Sequence, residues 1–346
     1  MSSGEQPVIG IYRTRRYDVG SEVPAERTGS LLRKGARVIL LGGRQELRHE
    51  RGSSMFLGPL YEVTLDRYGD PAANVAPRDG EVMLDAIYNA ARHLPSGIVP
   101  ALNSDRLRKA ADKRIVYTHT LPELSPHTRV VTPATWHADL TDHFAGDELI
   151  VKPVGTSGGR DVLPVAKLAL GHELAARFRD QPDTPQVVQE RIKTSPWPTT
   201  IRPAYPAESD RLHGGRGQEM RMFVFNNEYV PMARVVSSGN TAGINRADDG
   251  YVALDPLTVP DAVYARAYQA CHKLRQASGD TEIGVAVDFM YGSRPQDGRD
   301  APNWWLSEVN YIDPQPPDIN NYVAIAHQLN DARSTQLIRM AQTGVQ

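Results

Sequence analysis

Short apolar runs alternate with helix-like stretches along the chain, and this pattern predicts a mixed fold. In the first third, the apolar runs Val8–Tyr12 and Ala36–Leu41 are typical of strands. A helical pattern covers Glu81–His93, and a strand-like run at 97–100 leads into a charged helix over Asp105–Tyr117. Strands that alternate with helices favour an α/β or α+β architecture. We therefore expect a small N-terminal α/β domain in this part of the chain.

The middle of the chain continues the alternation around a glycine-rich segment. The apolar strand Glu148–Pro153 runs directly into Gly155–Gly159, and a helix near 168–178 and a strand at 186–192 follow. Residues 194–218 are rich in Pro, Gly and Arg, a composition that predicts a long loop. Because long loops in compact domains are often functional, we expect this segment to act as a substrate lid.

Two hairpins are predicted in the last third. The apolar runs 220–225 and 229–236 flank Asn226-Asn227, a pair that tolerates the positive φ of a tight turn. A second pair of runs, 284–291 and 303–310, flanks a polar loop near Gly298. Two helices complete this block, one between Pro260 and Gly279 and one over Val323–Met340.

Composition excludes several classes of protein. The chain has 346 residues, enough for two or three domains, and 39 Lys and Arg against 41 Asp and Glu give a formal net charge of −2. There is thus no overall basic field of the kind that nucleic-acid-binding proteins use. The single cysteine excludes an intramolecular disulfide. The N-terminal residues lack a signal-peptide pattern, and the apolar runs fall short of the ~18–20 residues of a membrane span. We expect a cytoplasmic protein with neither nucleic acid nor membrane as partner.

The glycine-rich segment is the first candidate site. Glycines let backbone N–H groups approach a phosphate closely, and Thr156 and Ser157 add hydroxyl donors. The spacing matches neither a Walker A loop nor a dinucleotide-binding fingerprint, so a flexible hairpin tip is an equally good interpretation. Lys152 stands at the end of the preceding strand, where a cation can hold phosphate oxygens beneath a mobile loop. The competing interpretation is a solvated lysine at a strand end.

The second candidate site is acidic and lies on the second predicted hairpin. Strict strand alternation places four side chains on one face of its second strand: Trp304, Leu306, Glu308 and Asn310. If the turn is centred on Gly298, Asp288 pairs with Glu308, since both are equidistant from it. Oxygen ligands at such a spacing suit one hard cation such as Mg²⁺, which would neutralise the repelling carboxylates. The alternative is that both carboxylates face solvent.

Together these residues resemble the ATP-grasp superfamily, and within it the carboxylate–amine ligases similar to glutathione synthetase. The resemblance rests on six motifs in order: Asp112-Lys113, Lys152 before the glycine-rich loop, Gln189-Glu190-Arg191-Ile192, Arg221, Asp288, and Glu308-Val309-Asn310. It implies an N-terminal α/β domain followed by two α+β subdomains that enclose the nucleotide. The expected bounds are 1–110, 111–190 and 191–346.

The resemblance also implies a role for each matching residue. Lys113 and Lys152 would contact the ATP phosphates. A flexible lid over the phosphates would be formed by Gly155, Thr156, Ser157, Gly158 and Gly159. A hinge that binds adenine, with Glu190 or a neighbour at the ribose, would be formed by Gln189, Glu190, Arg191 and Ile192.

The remaining implied roles concern catalysis and the metal. Arg221 would bind the γ-phosphate and then the acyl phosphate, while Arg234 and Asn245 would lie near the acyl phosphate or the substrate. The metal ligands would be Asp288, Glu308 and Asn310, which would hold one or two Mg²⁺ ions, with Mn²⁺ as a substitute.

The implied reaction is an ATP- and Mg²⁺-dependent ligation of a carboxylate to an amine, through an acyl phosphate, that releases ADP and phosphate. Such chemistry asks the protein mainly for positioning and charge neutralisation, which lysines, arginines and a metal supply. The partners would be a small carboxylate and an amine, either an amino acid or a peptide. A phosphotransferase on the same scaffold and a nucleotide-binding module without catalysis remain as alternatives. The oligomeric state stays open, with a homodimer as one candidate.

Overall fold

A computed structural model describes most of the chain as a mixture of helices and three β-sheets, which confirms the expected α+β class. The described residues are 8–12, 29–41, 55–57, 99–100, 105–154, 162–214, 217–225, 227–236, 250–295, 302–311 and 323–343. The helix predicted over Glu81–His93, the loop Gly155–Gly159 and Asn245 lie outside these ranges. Among the described residues, no helix is long and apolar enough to span a membrane.

The N-terminal sheet is parallel, and three of its four strands lie where the apolar runs predicted them, whereas the strand Met55–Leu57 was not predicted. Its strand order is β2-β1-β3-β4. The strands are β1 (Val8–Tyr12), β2 (Arg37–Leu41), β3 (Met55–Leu57) and β4 (Val99–Pro100). A short helix, α1, covers residues 29–33 before β2. A parallel sheet with crossover connections is the architecture expected of an α/β unit.

The charged helix predicted over Asp105–Tyr117 is broken into three pieces. Helix α2 (Asp105–Ala111) is followed by α3 (Lys113–Ile115) and a π-helical turn, Val116–Thr120. The break falls at Asp112, whose ψ of 135° is extended and whose carboxylate accepts a hydrogen bond of 2.7 Å from the Arg114 N–H. An aspartate that caps a new helix in this way ends the old one. The prediction of one continuous helix is therefore wrong.

The second sheet is antiparallel, with strand order β5-β8-β6-β7. Its strands are β5 (Thr128–Val131), β6 (Glu148–Pro153), β7 (Leu163–Ala166) and β8 (Gln186–Glu190). Helix α4 (Leu170–Asp180) packs on one face through Leu170 and Leu174, against Val151 and Val188. Because side chains alternate along a strand, Lys152 lies on the opposite face.

The third sheet has six antiparallel strands. Five follow the order β12-β11-β10-β13-β14, and β9 pairs with the end of β13. The strands are β9 (Lys193–Thr194), β10 (Gly217–Phe225), β11 (Glu228–Val236), β12 (Gly250–Ala253), β13 (Val285–Ser293) and β14 (Asn303–Asn310). Asn227, in the turn between β10 and β11, has a φ of 61°, as the Asn-Asn pair predicted.

The third sheet carries helices on both faces. Helix α6 (Asp261–Ser278) buries Val263 and Ala267 against the face that carries Met222 and Val287. The other face, which carries Phe223 and Ala286, meets Leu329 and Ala332 of α7 (Val323–Thr343). Both helices lie where the sequence predicted them, and Gly279 ends α6 with a φ of 74°.

The Pro-, Gly- and Arg-rich segment 194–218 is only partly the loop that its composition predicted. It contains a 3₁₀ turn, Pro206–Glu208, and a short helix, α5 (Ser209–Gly214). Leu212 of α5 is completely buried in the core of the third sheet. The burial of this one side chain explains a helix that the local composition does not favour.

Candidate active site

The site is organised by a β-bulge in β14. Asp288 pairs with Glu308, as the turn symmetry predicted, but the next pair is Phe289 with Leu306. Ser307 is therefore an extra residue, and the strand changes phase there. The expectation that Leu306 and Glu308 share a face is wrong, because a bulge reverses the alternation that the expectation assumed.

Because of the bulge, one face of β14 is apolar and the other is polar. Trp304, Leu306 and Val309 all enter the core beneath α6. Glu308 and Asn310 lie on the opposite face, with their cross-strand partners Asp288 and Ala286. The polar groups are thus gathered on one face without disrupting the core on the other.

Asp288 is the centre of the polar group. It is completely buried, and Arg221, directly opposite on β10, donates to both of its carboxylate oxygens at 2.7 and 2.6 Å. Arg234 and Asn310 also donate to Oδ2 of Asp288, at 3.4 and 3.2 Å. A third donor of Arg221, Nη1, contacts the Tyr251 hydroxyl at 2.9 Å. Burial would lower the pKa of Arg221, but the charge of Asp288 outweighs it, so the pKa is raised.

A second ion pair lies beside the first. Arg234 on β11 contacts Glu219 on β10 at 3.1 Å, and both side chains are buried. The hydroxyl of Ser307, the bulge residue, donates to the other oxygen of Glu219. Burial raises the pKa of Glu219, and the charge of Arg234 opposes that rise. Two arginines and two carboxylates therefore share one partly desolvated sheet surface.

Glu308 faces the break in the helix before the second sheet. The ammonium of Lys113, the first residue of α3, lies 3.1 Å from Oε1 of Glu308. Burial favours a higher pKa for Glu308, but the charges of Lys113 and Arg234 lower it to about 2. The carboxylate is thus ionised throughout the physiological pH range.

Lys152 lies on the second sheet and points across to the third. Its ammonium lies 3.1 Å from the Tyr117 hydroxyl, 3.3 Å from Oε1 of Gln189 and 3.4 Å from the carbonyl oxygen of Ser307. The side chain is 8% exposed. Desolvation, helped by the nearby charge of Lys113, lowers the pKa of Lys152 to about 7. Its three contacts are neutral oxygens rather than carboxylates.

The predicted hinge residues do not all face the site. Gln189 lies on the same face as Lys152 and contacts it. Glu190 lies on the face covered by α4, where Oε1 accepts a 2.8 Å hydrogen bond from the Ala145 N–H. Arg191 pairs with Glu148 at 3.1 Å on the surface, and Ile192 is buried.

The structure brings together eight of the predicted side chains: Lys113, Lys152, Gln189, Arg221, Arg234, Asp288, Glu308 and Asn310. It also adds residues that sequence reasoning missed. Glu219 stands two positions before Arg221 and so shares its face, a signal that the sequence did contain. Tyr117, Ser307 and Tyr251 carried no comparable signal, because their contacts are made by residues remote in the chain.

The side chains fit a bound nucleotide phosphate and a divalent cation. A buried ammonium whose partners are neutral is short of negative charge, and phosphate oxygens would supply it. Glu308 is ionised, and Asn310 donates through Nδ2 to Asp288, which leaves its Oδ1 as a metal ligand. Among the described residues, no three His, Cys, Asp or Glu side chains cluster as a metal site. The candidate set therefore depends on the amide of Asn310.

Sequence comparison finds no relatives: no family model matches the chain, and neither does any curated protein. Comparison of structures finds matches. D-cycloserine synthetase DcsG matches with a TM-score of 0.60 at 14% identity, over 96% of this chain and 99% of that one. D-alanine–D-alanine ligase from Bacillus anthracis, complexed with ATP, matches with 0.56 at 15% identity, over 98% and 99%.

A third match carries the name of the fold. The ATP-grasp ligase PsnB, complexed with a phosphomimetic variant of its minimal precursor, Mg and ADP, matches with a TM-score of 0.57 at 12% identity. The match covers 96% of this chain and 99% of that one. Identities this low establish the fold alone, and across almost the whole chain the fold is the one that the order of the motifs implied. This chain has the ATP-grasp fold.

Proposed function

We propose that the chain is an ATP- and Mg²⁺-dependent ligase that joins a carboxylate to an amine through an acyl phosphate. The observation that supports the proposal most strongly is the environment of the Lys152 side chain. The ammonium is buried between two sheets, its contacts are neutral oxygens, and Lys113 and Glu308 are among the charged groups that shift its pKa. Arg221, Arg234 and Lys113 are paired with carboxylates, whereas the hydrogen bonds of Lys152 go to neutral oxygens. Such an ammonium is suited to a polyphosphate.

In this proposal, Lys152 and Lys113 hold nucleotide phosphates. The glycine-rich segment Gly155–Gly159, which lies outside the described residues, acts as the lid that the resemblance implies. The hinge after β8, Gln189–Ile192, binds the adenine and ribose. Because the Glu190 side chain lies beneath α4, this binding uses the backbone of the hinge rather than that carboxylate. We take Gln189 as the hinge side chain that acts in the site, since it contacts Lys152 directly.

Glu308 and Asn310 would hold Mg²⁺, with Asp288 beside them. When bound, the metal would neutralise charge on the transferring phosphoryl group. Both oxygens of Asp288 already accept hydrogen bonds from Arg221. With the bonds from Arg234 and Asn310, Asp288 accepts four hydrogen bonds, about as many as a carboxylate has lone-pair sites. A cation on Asp288 would therefore have to displace one of these donors. In either role Asp288 fixes the orientation of the Arg221 guanidinium through two hydrogen bonds.

The chain's own groups then stabilise charge as the carboxylate attacks the γ-phosphoryl group. Arg221 and Arg234 are held by Asp288 and Glu219 on adjacent strands, so they present fixed positive charge without reorganisation. Asn245, which lies outside the described residues, keeps in this proposal the role near the acyl phosphate that the resemblance implies. The carboxylate oxygen bonds to the γ-phosphorus as the bond from that phosphorus to ADP breaks. The amine then attacks the acyl carbon, the C–O bond to phosphate breaks, and the phosphate takes up the proton that the amine loses and leaves with the ADP.

The proposed substrates are a small carboxylate and an amine, each an amino acid or a peptide. Two observations on other proteins support this class: one matched structure is a D-alanine–D-alanine ligase, and PsnB is complexed with a precursor. We place the reaction in the cytoplasm, where ATP is available.

The test is a screen of carboxylates and amines in pairs, with ADP release as the readout and mass spectrometry of the products. We expect ADP and free phosphate only when both partners are present. Lys152→Met should abolish turnover, whereas Lys273→Met, which removes a surface lysine paired with Glu123, should not. AMP and pyrophosphate would contradict the proposal. Phosphate retained on the product would indicate a phosphotransferase, and nucleotide binding with no turnover would indicate a non-catalytic module.

A further inference from the structure

We propose that Tyr117 is a positioning residue for Lys152, and that its hydroxyl holds the lysine where it meets the nucleotide. The inference rests on the proposed function of Lys152 and adds a residue that no sequence motif marks. It also assigns a purpose to the π-helical turn Val116–Thr120, since π-helical insertions in proteins are often found at functional sites.

The geometry of Tyr117 connects the two sheets. Its hydroxyl donates to the carbonyl oxygen of Ser307 at 2.7 Å and accepts from the Lys152 ammonium at 3.1 Å. The same ammonium lies 4.2 Å from the centre of the Tyr117 ring, close enough for a cation–π interaction. Lys152 is thus held by both the ring and the hydroxyl of one residue.

The segment that carries Tyr117 also carries Lys113. Lys113 reaches Glu308 at 3.1 Å, and Tyr117 reaches the neighbouring residue, Ser307, at 2.7 Å. One short stretch of chain therefore fixes two consecutive residues of β14, at the bulge and at a proposed metal ligand. The ammonium of Lys152, on the second sheet, contacts the carbonyl oxygen of Ser307. The position of the lysine relative to the proposed metal ligand thus depends on Tyr117.

A lysine side chain has many rotamers, and its ammonium is easily placed elsewhere. The contacts that select this rotamer are the oxygens of Tyr117, Gln189 and Ser307. Gln189 is itself oriented, because its Nε2 donates to the Thr128 hydroxyl at 2.8 Å. Loss of the Tyr117 hydroxyl leaves two of the three acceptors and frees the lysine to move.

If Tyr117 had a purely structural role, its substitutions would have different effects. The residue is 2% exposed, and its ring packs in the core with Leu107 and Val116. Phenylalanine keeps that packing and removes only the hydroxyl. Tyr117→Phe therefore separates the two roles, whereas Tyr117→Ala would also open a cavity.

The experiment measures the affinity of the full chain for a non-hydrolysable ATP analogue with Mg²⁺, by calorimetry. It compares the unchanged protein, Tyr117→Phe, Lys152→Met and the double variant. We expect Tyr117→Phe to weaken binding about tenfold, the effect of one hydrogen bond to a charged group. In the Lys152→Met background, Tyr117→Phe should change affinity less than about twofold, because the group through which it acts is gone.

A pH series adds a readout that packing alone would not move. The charged groups that face Lys152 are Lys113, Glu308 and Glu219, and they are unchanged in Tyr117→Phe. Without the hydroxyl the ammonium loses an acceptor, so the midpoint of the pH dependence of affinity should move to lower pH. The matched control is Tyr264→Phe, whose hydroxyl donates at 3.0 Å to the Pro256 carbonyl at the protein surface. It should leave both affinity and midpoint unchanged.

The outcomes separate this inference from the proposed function. If Lys152→Met weakens binding and Tyr117→Phe does not, the inference is overturned and the function of Lys152 stands. The same holds if Tyr117→Phe weakens binding equally in both backgrounds. If Lys152→Met binds the analogue like the unchanged protein, the nucleotide role of Lys152 is refuted, and the inference is refuted with it.

Discussion

Nucleotide binding should be linked to the uptake of a proton by Lys152. In the free protein, desolvation and the neighbouring charge of Lys113 place the pKa of Lys152 at about 7. A bound polyphosphate stabilises the charged form and returns the pKa toward the ordinary value of about 10.4 for lysine. The nucleotide therefore binds the protonated lysine, and affinity must fall as pH rises above the pKa of the free protein.

The magnitude follows from the fraction of Lys152 that is protonated. With a pKa of about 7 in the free protein, the apparent dissociation constant should rise about tenfold between pH 6 and pH 8. At pH 8, binding should take up about 0.9 proton per nucleotide. Glu308 does not contribute in this window, because its pKa lies at about 2.

Calorimetry in two buffers of different ionisation enthalpy measures both quantities in one series. The analogue's own phosphate titrates nearby, with a pKa of about 6, so the comparison with Lys152→Met is essential. That variant should keep only the contribution of the nucleotide. Equal pH dependence in the two proteins would refute the reasoning, as would proton release rather than uptake at pH 8.

Three further changes test other parts of the structure. Glu308→Gln should raise the Mg²⁺ concentration needed for half-maximal ADP release by at least about tenfold; an unchanged metal requirement would remove Glu308 from the metal site. Asp288→Ala removes the carboxylate that pairs with Arg221, whose side chain is 11% exposed, and should lower the free energy of unfolding by about 3–5 kcal/mol, measured by urea titration; a loss below about 1 kcal/mol would show that solvent screens the pair. Gly292→Ala places a Cβ 2.3 Å from the carbonyl oxygen of Lys193 and should destabilise the protein by about 1–3 kcal/mol. Its control, Gly171→Ala in α4, has a nearest contact of 3.8 Å and should stabilise by about 0.5–1 kcal/mol; the opposite order would contradict the packing described.

The register of the second hairpin could be predicted, because residues at equal distances from the centre of a turn pair with each other in an antiparallel hairpin. Asp288 and Glu308 are paired as expected. The bulge at Ser307 could not be predicted, because it is stabilised from other parts of the chain. Its carbonyl accepts from Tyr117 and Lys152, and its hydroxyl donates to Glu219. Local alternation therefore assigned Leu306 and Glu308 to the same face, although these contacts separate them.

The orientation of the Glu190 side chain could have been predicted from the sequence. Val188 and Glu190 are two positions apart on one strand and must share a face, and Val188 is part of the core beneath α4. The break at Asp112 was also accessible, since aspartate favours the N-cap of a helix. The π-helical turn that follows was not, because its tertiary contacts, such as that of Tyr117 with Ser307, favour it over a regular helix.

In the proposed reaction, a substrate carboxylate attacks the γ-phosphoryl group of ATP. The most direct test of this attack labels both carboxylate oxygens of a substrate found in the ADP-release screen with oxygen-18 and analyses the released phosphate by mass spectrometry. When the amine displaces phosphate from an acyl phosphate, one carboxylate oxygen leaves with the phosphate. The released phosphate should therefore carry a single oxygen-18 atom. Unlabelled phosphate, or label in AMP, would contradict the proposed reaction.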